Sequence, residues 1–230
     1  MTAHSAHPGA AFAELSELYQ ARSSARAFAP EPLPRDRLLE LFAAAQRAPS
    51  WCNVQPWRVV VTEPPTTGRV TAALVAAAQS QPAAPEVAFP ADYPSPHLEH
   101  RRACGLALYQ AMGVARDDKE GRQRAWLRNY QGFDAPHLAV VSCDRRLGPY
   151  AYVDLGVWLG YLLPAAQALG IATCPMASIA TYPAVLRERL PISPEDTIVF
   201  GVALGVADAQ AAANQCRTQR DPVSANVQFV

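Results

Sequence analysis

Lysine is almost missing from this chain. Lys119 is the single lysine among the 20 basic residues, the rest being arginine, so Schiff-base chemistry rests on that residue or is absent. Net charge is missing too. The 20 basic residues balance 20 acidic ones and the pI is about 7.0, which points to neither nucleic acid nor an anionic membrane as partner. No G-x-G-x-x-G, Walker loop or G-x-S-x-G occurs, which leaves out the common dinucleotide, nucleotide and serine-hydrolase signatures. The five cysteines (Cys52, Cys104, Cys143, Cys174 and Cys216) are scattered, with no C-x-x-C; this predicts reduced thiols in a cytoplasmic protein. Residues 1–10 lack an apolar run and read as a disordered tail, not a signal peptide. His97 and His100 form an H-x-x-H without a third ligand nearby, and no metal site is expected.

What the chain does have is apolar surface, at 50% of residues, enough for a packed core. Helical spacing is read over 11–22, 34–48, 68–80, 97–115, 117–130, 150–169 and 181–190. Strands are read at 57–62, 138–142, 171–175 and 198–204 from their β-branched runs. Five prolines between 81 and 96 predict an extended surface excursion. The mixture of helices and strands implies an α+β or three-layer α/β domain. One domain over 11–230 is expected, with a proline-rich and helical excursion at about 81–135. The run 150–169 is long and apolar, but Asp154, Pro164 and Gln167 interrupt it, so it reads as a buried helix and not a membrane span. Its partner is either a second subunit or the core of its own.

Two segments carry chemistry. Arg22-Ser23-Ser24-Ala25-Arg26-Ala27-Phe28 brings two guanidiniums and two hydroxyls together where the first helix ends. Such a set suits phosphate or a polarised carbonyl edge; a solvated helix end is the other reading. Ala48-Pro49-Ser50-Trp51-Cys52-Asn53-Val54-Gln55-Pro56-Trp57 is a helix stop, a polar turn and a strand start. The amides of Asn53 and Gln55 either meet a heteroaromatic edge or hold their own backbone. An enzyme with so little acid–base or nucleophilic equipment draws its reactivity from a cofactor.

R-x-S-x-R-x-F at 22–28, followed by A-P-S-x-x-N-x-Q-P-W at 48–57, resembles the nitroreductase (flavin reductase-like) family. Leu169-Gly170-Ile171-Ala172-Thr173-Cys174-Pro175, the strand at 198–205 and Thr218-Gln219-Arg220-Asp221-Pro222-Val223 resemble later elements of that family in the same order. The stretch 101–136, ending R-N-Y-x-x-F-D-A-P, is similar to the branch that reduces nitrobenzoates and other nitroaromatics.

The resemblance implies a three-layer α/β/α sandwich with a mixed, mainly antiparallel sheet and a long central helix at a dimer interface. It implies a homodimer binding FMN between its subunits, with NADPH or NADH as reductant and a nitroaromatic or quinone acceptor reduced by a ping-pong route. Dehydrogenation or reductive dehalogenation on the same scaffold, or flavin binding without turnover, are the alternatives. It places Arg22, Ser23, Ser24 and Arg26 on the cofactor, with Arg22 and Arg220 at the phosphate and Arg26 near the flavin N1–O2 edge. Pro49, Ser50, Trp51 and Asn53 approach from the other subunit. Pro175, Met176, Ala177 and Ser178 lie by the N5–O4 edge. Thr218 stands where relatives carry a basic residue, which assigns Arg217 to the phosphate as well. Ala177 and Ser178 depart from the acid and glycine common in the family. Trp51 replaces a smaller residue and is either a pocket wall or a dimer contact. Tyr130 and Phe133 are assigned to the substrate wall, with core packing as the competing reading. No side chain is required as a catalytic acid.

Overall fold

A four-stranded sheet divides the interior into two apolar cores. The computed structural model describes residues 8–230. Its strands are β1 (Arg58–Thr62), β2 (His137–Asp144), β3 (Ala172–Met176) and β4 (Asp196–Gly205), in the order β1-β2-β4-β3. Every neighbouring pair is antiparallel. A single parallel bridge, Ser24 to Thr173, extends the sheet beyond β3. The sheet is thus mainly antiparallel, as the resemblance implies, and the parallel element comes from the segment that carries the arginines.

The helices among the described residues are α1 (Pro8–Ala21), α2 (Arg35–Ala45), α3 (Thr66–Ser80), α4 (His97–Ala111), α5 (Lys119–Leu127), α6 (Pro149–Ala168) and α7 (Pro183–Arg189). Proline in the first turn of α6 and of α7 presets φ where no N–H partner is needed. Gly170, at φ +67°, stops α6 in the left-handed conformation that a C′ residue requires. β2 is buried at every position, because helices cover both faces. Leu138 and Val140 point into the core shared with Val70 and Leu74 of α3 and Leu186 of α7. Ala139, Val141 and Cys143 point into the core of Leu38 and Leu41 from α2 with Leu155, Trp158 and Leu162 from α6. This alternation makes the three-layer α/β/α sandwich.

α1 begins at Pro8, inside the stretch read as a tail, and residues 1–7 lie outside the described ones. α4 stops at Ala111 and not at 115, because Gly113 turns the chain at φ +68°. α6 answers both readings of its apolar sequence, one on each side. Ala151, Leu155, Trp158, Leu162 and Ala166 face the core, while Tyr150, Val153 and Tyr161 stay exposed. No helix among the described residues is long and apolar enough to cross a membrane.

The proline-rich part of the excursion lacks regular structure, and it is pinned by one carboxylate. Glu86 accepts from Arg187 Nη2 at 2.9 and 3.0 Å and from the Ile198 N–H at 2.9 Å. His137 is likewise structural. It is buried, its Nε2 accepts from the Leu33 N–H at 2.9 Å, and its Nδ1 lies 3.1 Å from Thr62 O.

Candidate functional site

The first arginine segment leaves α1 and runs in extended form beside β3. The Ala25 N–H donates to Thr173 O at 2.9 Å, and the Ala29 N–H donates to Val206 O at 2.8 Å. The segment is therefore wedged between β3 and the chain leaving β4. Asn214 completes the seam: its Oδ1 accepts from the Arg26 N–H at 2.6 Å, and its Nδ2 donates to Ala27 O and Asp208 O, both at 2.8 Å. Three bonds from one amide leave the backbone of Arg26 and Ala27 little freedom. Sequence reasoning missed Asn214; its signal was an Asn-Gln pair at the end of an alanine-rich run.

Ser24, Arg26 and Arg22 all lie close enough to the Cys174 thiol to favour its ionised form. Burial outweighs them and pushes Cys174 up to about 11, so it stays protonated near neutrality. Ala21, Ser23 and Ala25 line a cleft of about 450 Å³ shared with Gly170, Asn214 and Arg217. Arg217 Nη1 is spent there on Asn214 O at 2.8 Å and Cys216 O at 3.0 Å. Ser23 and Arg217 line that cleft, while Arg22, Ser24 and Arg26 cluster about the Cys174 thiol.

Arg220 joins that cluster from the far end of the chain. The half-buried Arg22 guanidinium is held below its usual pKa, first by desolvation and then by the like charge of Arg220. Arg220 Nη1 is steadied by Thr218 Oγ1 at 2.9 Å and Gln219 O at 2.9 Å. Thr218, where a cation was expected, therefore serves by aiming one. Among the described residues no carboxylate pairs with Arg22, Arg26 or Arg220. Repelling cations without an acid between them form a ready receptor for a dianion.

β3 leads from Cys174 through Pro175 and Met176 into a 3-10 turn, Ala177–Thr181. Met176 is buried, Ala177 is exposed, and Ser178 Oγ is buried without a hydrogen-bond partner. A buried hydroxyl left orphaned costs free energy unless something outside the chain meets it. The arginines at one end and this hydroxyl at the other fit a ligand with a phosphate and a polar ring edge. From Cys174 to Ser178 the span is on the order of 10 Å at strand rise.

The second segment lies apart from this cluster within one chain. Trp51–Gln55 are all exposed, and Trp51 is 65% so. Cys52, Asn53 and Gln55 take φ of 45°, 57° and 50°. The Trp51 N–H donates to Asp154 Oδ1 at 3.0 Å, and Ser50 Oγ accepts from the Gln55 N–H at 2.9 Å. Pro49 is exposed and Ser50 half-buried.

Tyr130 and Phe133, assigned to the substrate wall with core packing as the competing reading, lie in the core. Each is 4% exposed and packs in the core with Leu74, Tyr182 and Leu186. Gly132, Phe133 and Asp134 all take positive φ, which rolls the Phe133 ring inward. The Tyr130 and Tyr182 rings lie 5.7 Å apart, so both aromatics anchor the foot of the excursion. Among the described residues no group of three or more His, Cys, Asp or Glu could hold a metal.

An α/β/α sandwich with a bipartite dianion receptor, and little other reactive equipment, defines a class of ligand-binding proteins that borrow their chemistry. The sequence pattern of the Nitroreductase family matches residues 19–206. The chain is 31% identical over 211 residues to a 4-nitrobenzoate reductase of Pseudomonas putida, covering 91% of this chain and 92% of that protein. It is similar in structure to the FMN- and NADPH-dependent nitroreductase NfnB of Sphigopyxis sp. strain HMH, with TM-score 0.90, 33% identity, and coverage of 94% and 98%. The FMN-dependent nitroreductase NfnB of Mycobacterium smegmatis, solved with NADPH, gives TM-score 0.91, 29% identity, and coverage of 95% and 99%. This chain belongs to the nitroreductase family.

Proposed function

We propose that this protein is an FMN-dependent oxidoreductase that passes hydride from NAD(P)H to nitroaromatic or quinone-type acceptors, working as a cytoplasmic homodimer. The observation that carries the reading is the Arg22–Arg220 pair, two like charges within each other's field and without a carboxylate partner among the described residues. Bound FMN supplies the redox chemistry, with nicotinamide and acceptor using its open face in turn.

The chain's own part is to hold and bias that group. Arg22 and Arg220 grip the phosphate, with Ser24 beside them. Arg26, its backbone locked by Asn214, holds a cation at the N1–O2 edge, where negative charge develops on reduction. Pro175, Met176, Ala177 and Ser178 border the N5–O4 edge, and the orphaned Ser178 hydroxyl is a donor for it. Ser23 and Arg217 join that site from the adjoining cleft, Arg217 as a further cation for the phosphate.

A second copy supplies the other wall through Pro49, Ser50, Trp51 and Asn53. The exposed apolar face of α6 (Tyr150, Val153 and Tyr161) and the stripe of Phe12, Leu15 and Tyr19 on α1 support that assembly. The test is the visible spectrum of fresh protein, followed by anaerobic titration with NADPH or NADH. A yellow dimer bleached by nicotinamide and recoloured by a nitroarene is expected. A colourless monomer that takes up no added FMN would end the reading.

A further inference from the structure

α6 buries one residue that does not belong with the others. Its core side is Ala151, Leu155, Trp158, Leu162 and Ala166, all apolar, and among them sits Asp154, 7% exposed. Among the described residues no cation pairs with it. The hydrogen bond its side chain accepts comes from the Trp51 backbone N–H at 3.0 Å. A buried carboxylate without a counter-charge destabilises a fold, and an apolar residue of similar size would serve packing better. Its presence is explained by what it holds.

What it holds is a turn closed by its own short-range bonds, the Asn53 N–H to Ser50 O at 3.1 Å and the Val54 N–H to Trp51 O at 2.9 Å, and tied to α6 at Trp51. Cys52, Asn53 and Gln55 are non-glycine residues in the left-handed region, and the turn is exposed from Trp51 to Gln55. Such backbone persists where surroundings over-determine it. α6 grips Trp51 twice: Asp154 takes its N–H, and the Tyr150 ring, one helical turn earlier, meets the indole at 5.6 Å and 41°. The indole is thereby set at a fixed height on an exposed face.

From this geometry we infer that Asp154 is a positioning residue. Acting through the Trp51 N–H, it fixes the Ser50–Asn53 turn against the partner's cofactor and sets the Trp51 ring as the flat wall against which a planar aromatic acceptor stacks. This rests on the FMN reading above and names a residue that touches neither cofactor nor acceptor.

The test compares Asp154→Leu with Asp154→Asn in the FMN-loaded dimer, using NADPH and 4-nitrobenzoate as probes. In Asp154→Leu the melting temperature of the cofactor-free protein is expected to hold or rise. KM for 4-nitrobenzoate rises and FMN affinity falls, each by about tenfold, the effect of an ångström-scale displacement. Asp154→Asn keeps an acceptor oxygen for the Trp51 N–H and restores most of both. Trp51→Ala reproduces the rise in KM and shows no further change when combined with Asp154→Leu. Asp154→Ser, too short to reach Trp51, carries the same expectation and stands in where leucine does not fit. Wild-type KM and FMN affinity in both Asp154→Leu and Asp154→Ser would overturn the inference. So would an Asp154→Asn variant as impaired as Asp154→Leu. Wild-type protein that binds no FMN would instead sink the functional reading itself.

Discussion

Arg22 and Arg220 stand at opposite ends of the chain, and each guanidinium lies within the other's field. The consequence is unequal for the free and the loaded protein. Replacing either by alanine removes a repulsion when no ligand is present and a charge-assisted contact when one is.

Arg22→Ala and Arg220→Ala are therefore each expected to leave the melting temperature of cofactor-free protein unchanged or slightly raised. FMN binding weakens by about 1.5–3 kcal/mol, or roughly ten- to a hundredfold in Kd. Fluorescence titration of FMN reads this directly. Arg217→Ala is expected to weaken FMN binding in the same direction. Wild-type affinity in all three variants would show that these guanidiniums do not hold the phosphate.

Asn214→Ala removes three hydrogen bonds at once and leaves the Arg26 N–H without its partner. A loss of about 1–3 kcal/mol in urea unfolding is expected, with weakened FMN binding alongside. Asn214→Asp keeps the acceptor for Arg26 and loses the donor to Ala27 and Asp208, so it falls between alanine and wild type. A stability equal to wild type in both variants would count against the seam.

A Cβ at Gly201 would lie 2.7 Å from Ile179 Cγ2, at the base of the turn that presents Ser178. Gly201→Ala is expected to destabilise by about 1–3 kcal/mol through overpacking. Ile179→Ala, which removes the Cγ1 and Cγ2 atoms that the new Cβ would meet, costs about 2–5 kcal/mol alone. Combined, the two should cost less than their sum, a coupling that a double-mutant cycle measures. Strict additivity would show that the sheet and turn yield elsewhere.

Two buried thiols give the fold an alkaline limit. Burial raises both Cys143 and Cys174 from 9.0 to about 11, with Asp196 and Asp144 adding to the rise at Cys143. The folded state thus binds more protons than the unfolded one between those values. Their contribution is whole below about pH 9 and is lost as pH rises through about 11. Urea midpoints should fall over that window, and a Cys143→Ala, Cys174→Ala protein should fall less. In the native state at pH 8 a thiol reagent should reach exposed Cys104 and leave Cys143 and Cys174 intact.

Much of this was legible in the residues themselves. Apolar period located the helices to within a few positions, and β-branched runs located the strands. The order of the arginine segment and the A-P-S turn pointed to the family. Three things were not legible, each for a physical reason. The placing of the arginine segment beside β3 depends on the bridge from Ser24 to Thr173, a pairing between residues far apart in the chain. The burial of Tyr130 and Phe133 depends on consecutive positive φ angles that no local propensity favours. Asn214 and Asp154 act through long-range bonds to backbone, which leave no periodic trace.

The seam that stitches residues 24–29 to the strand end at Val206 and to Asn214 has a consequence for biogenesis. A growing polypeptide emerges N-terminus first, so Arg22 leaves the ribosome long before Arg220 is translated. The receptor cannot exist on a nascent chain. Prematurely terminated products lacking the last few dozen codons would be blind to the ligand, whatever part of the sheet they had already assembled.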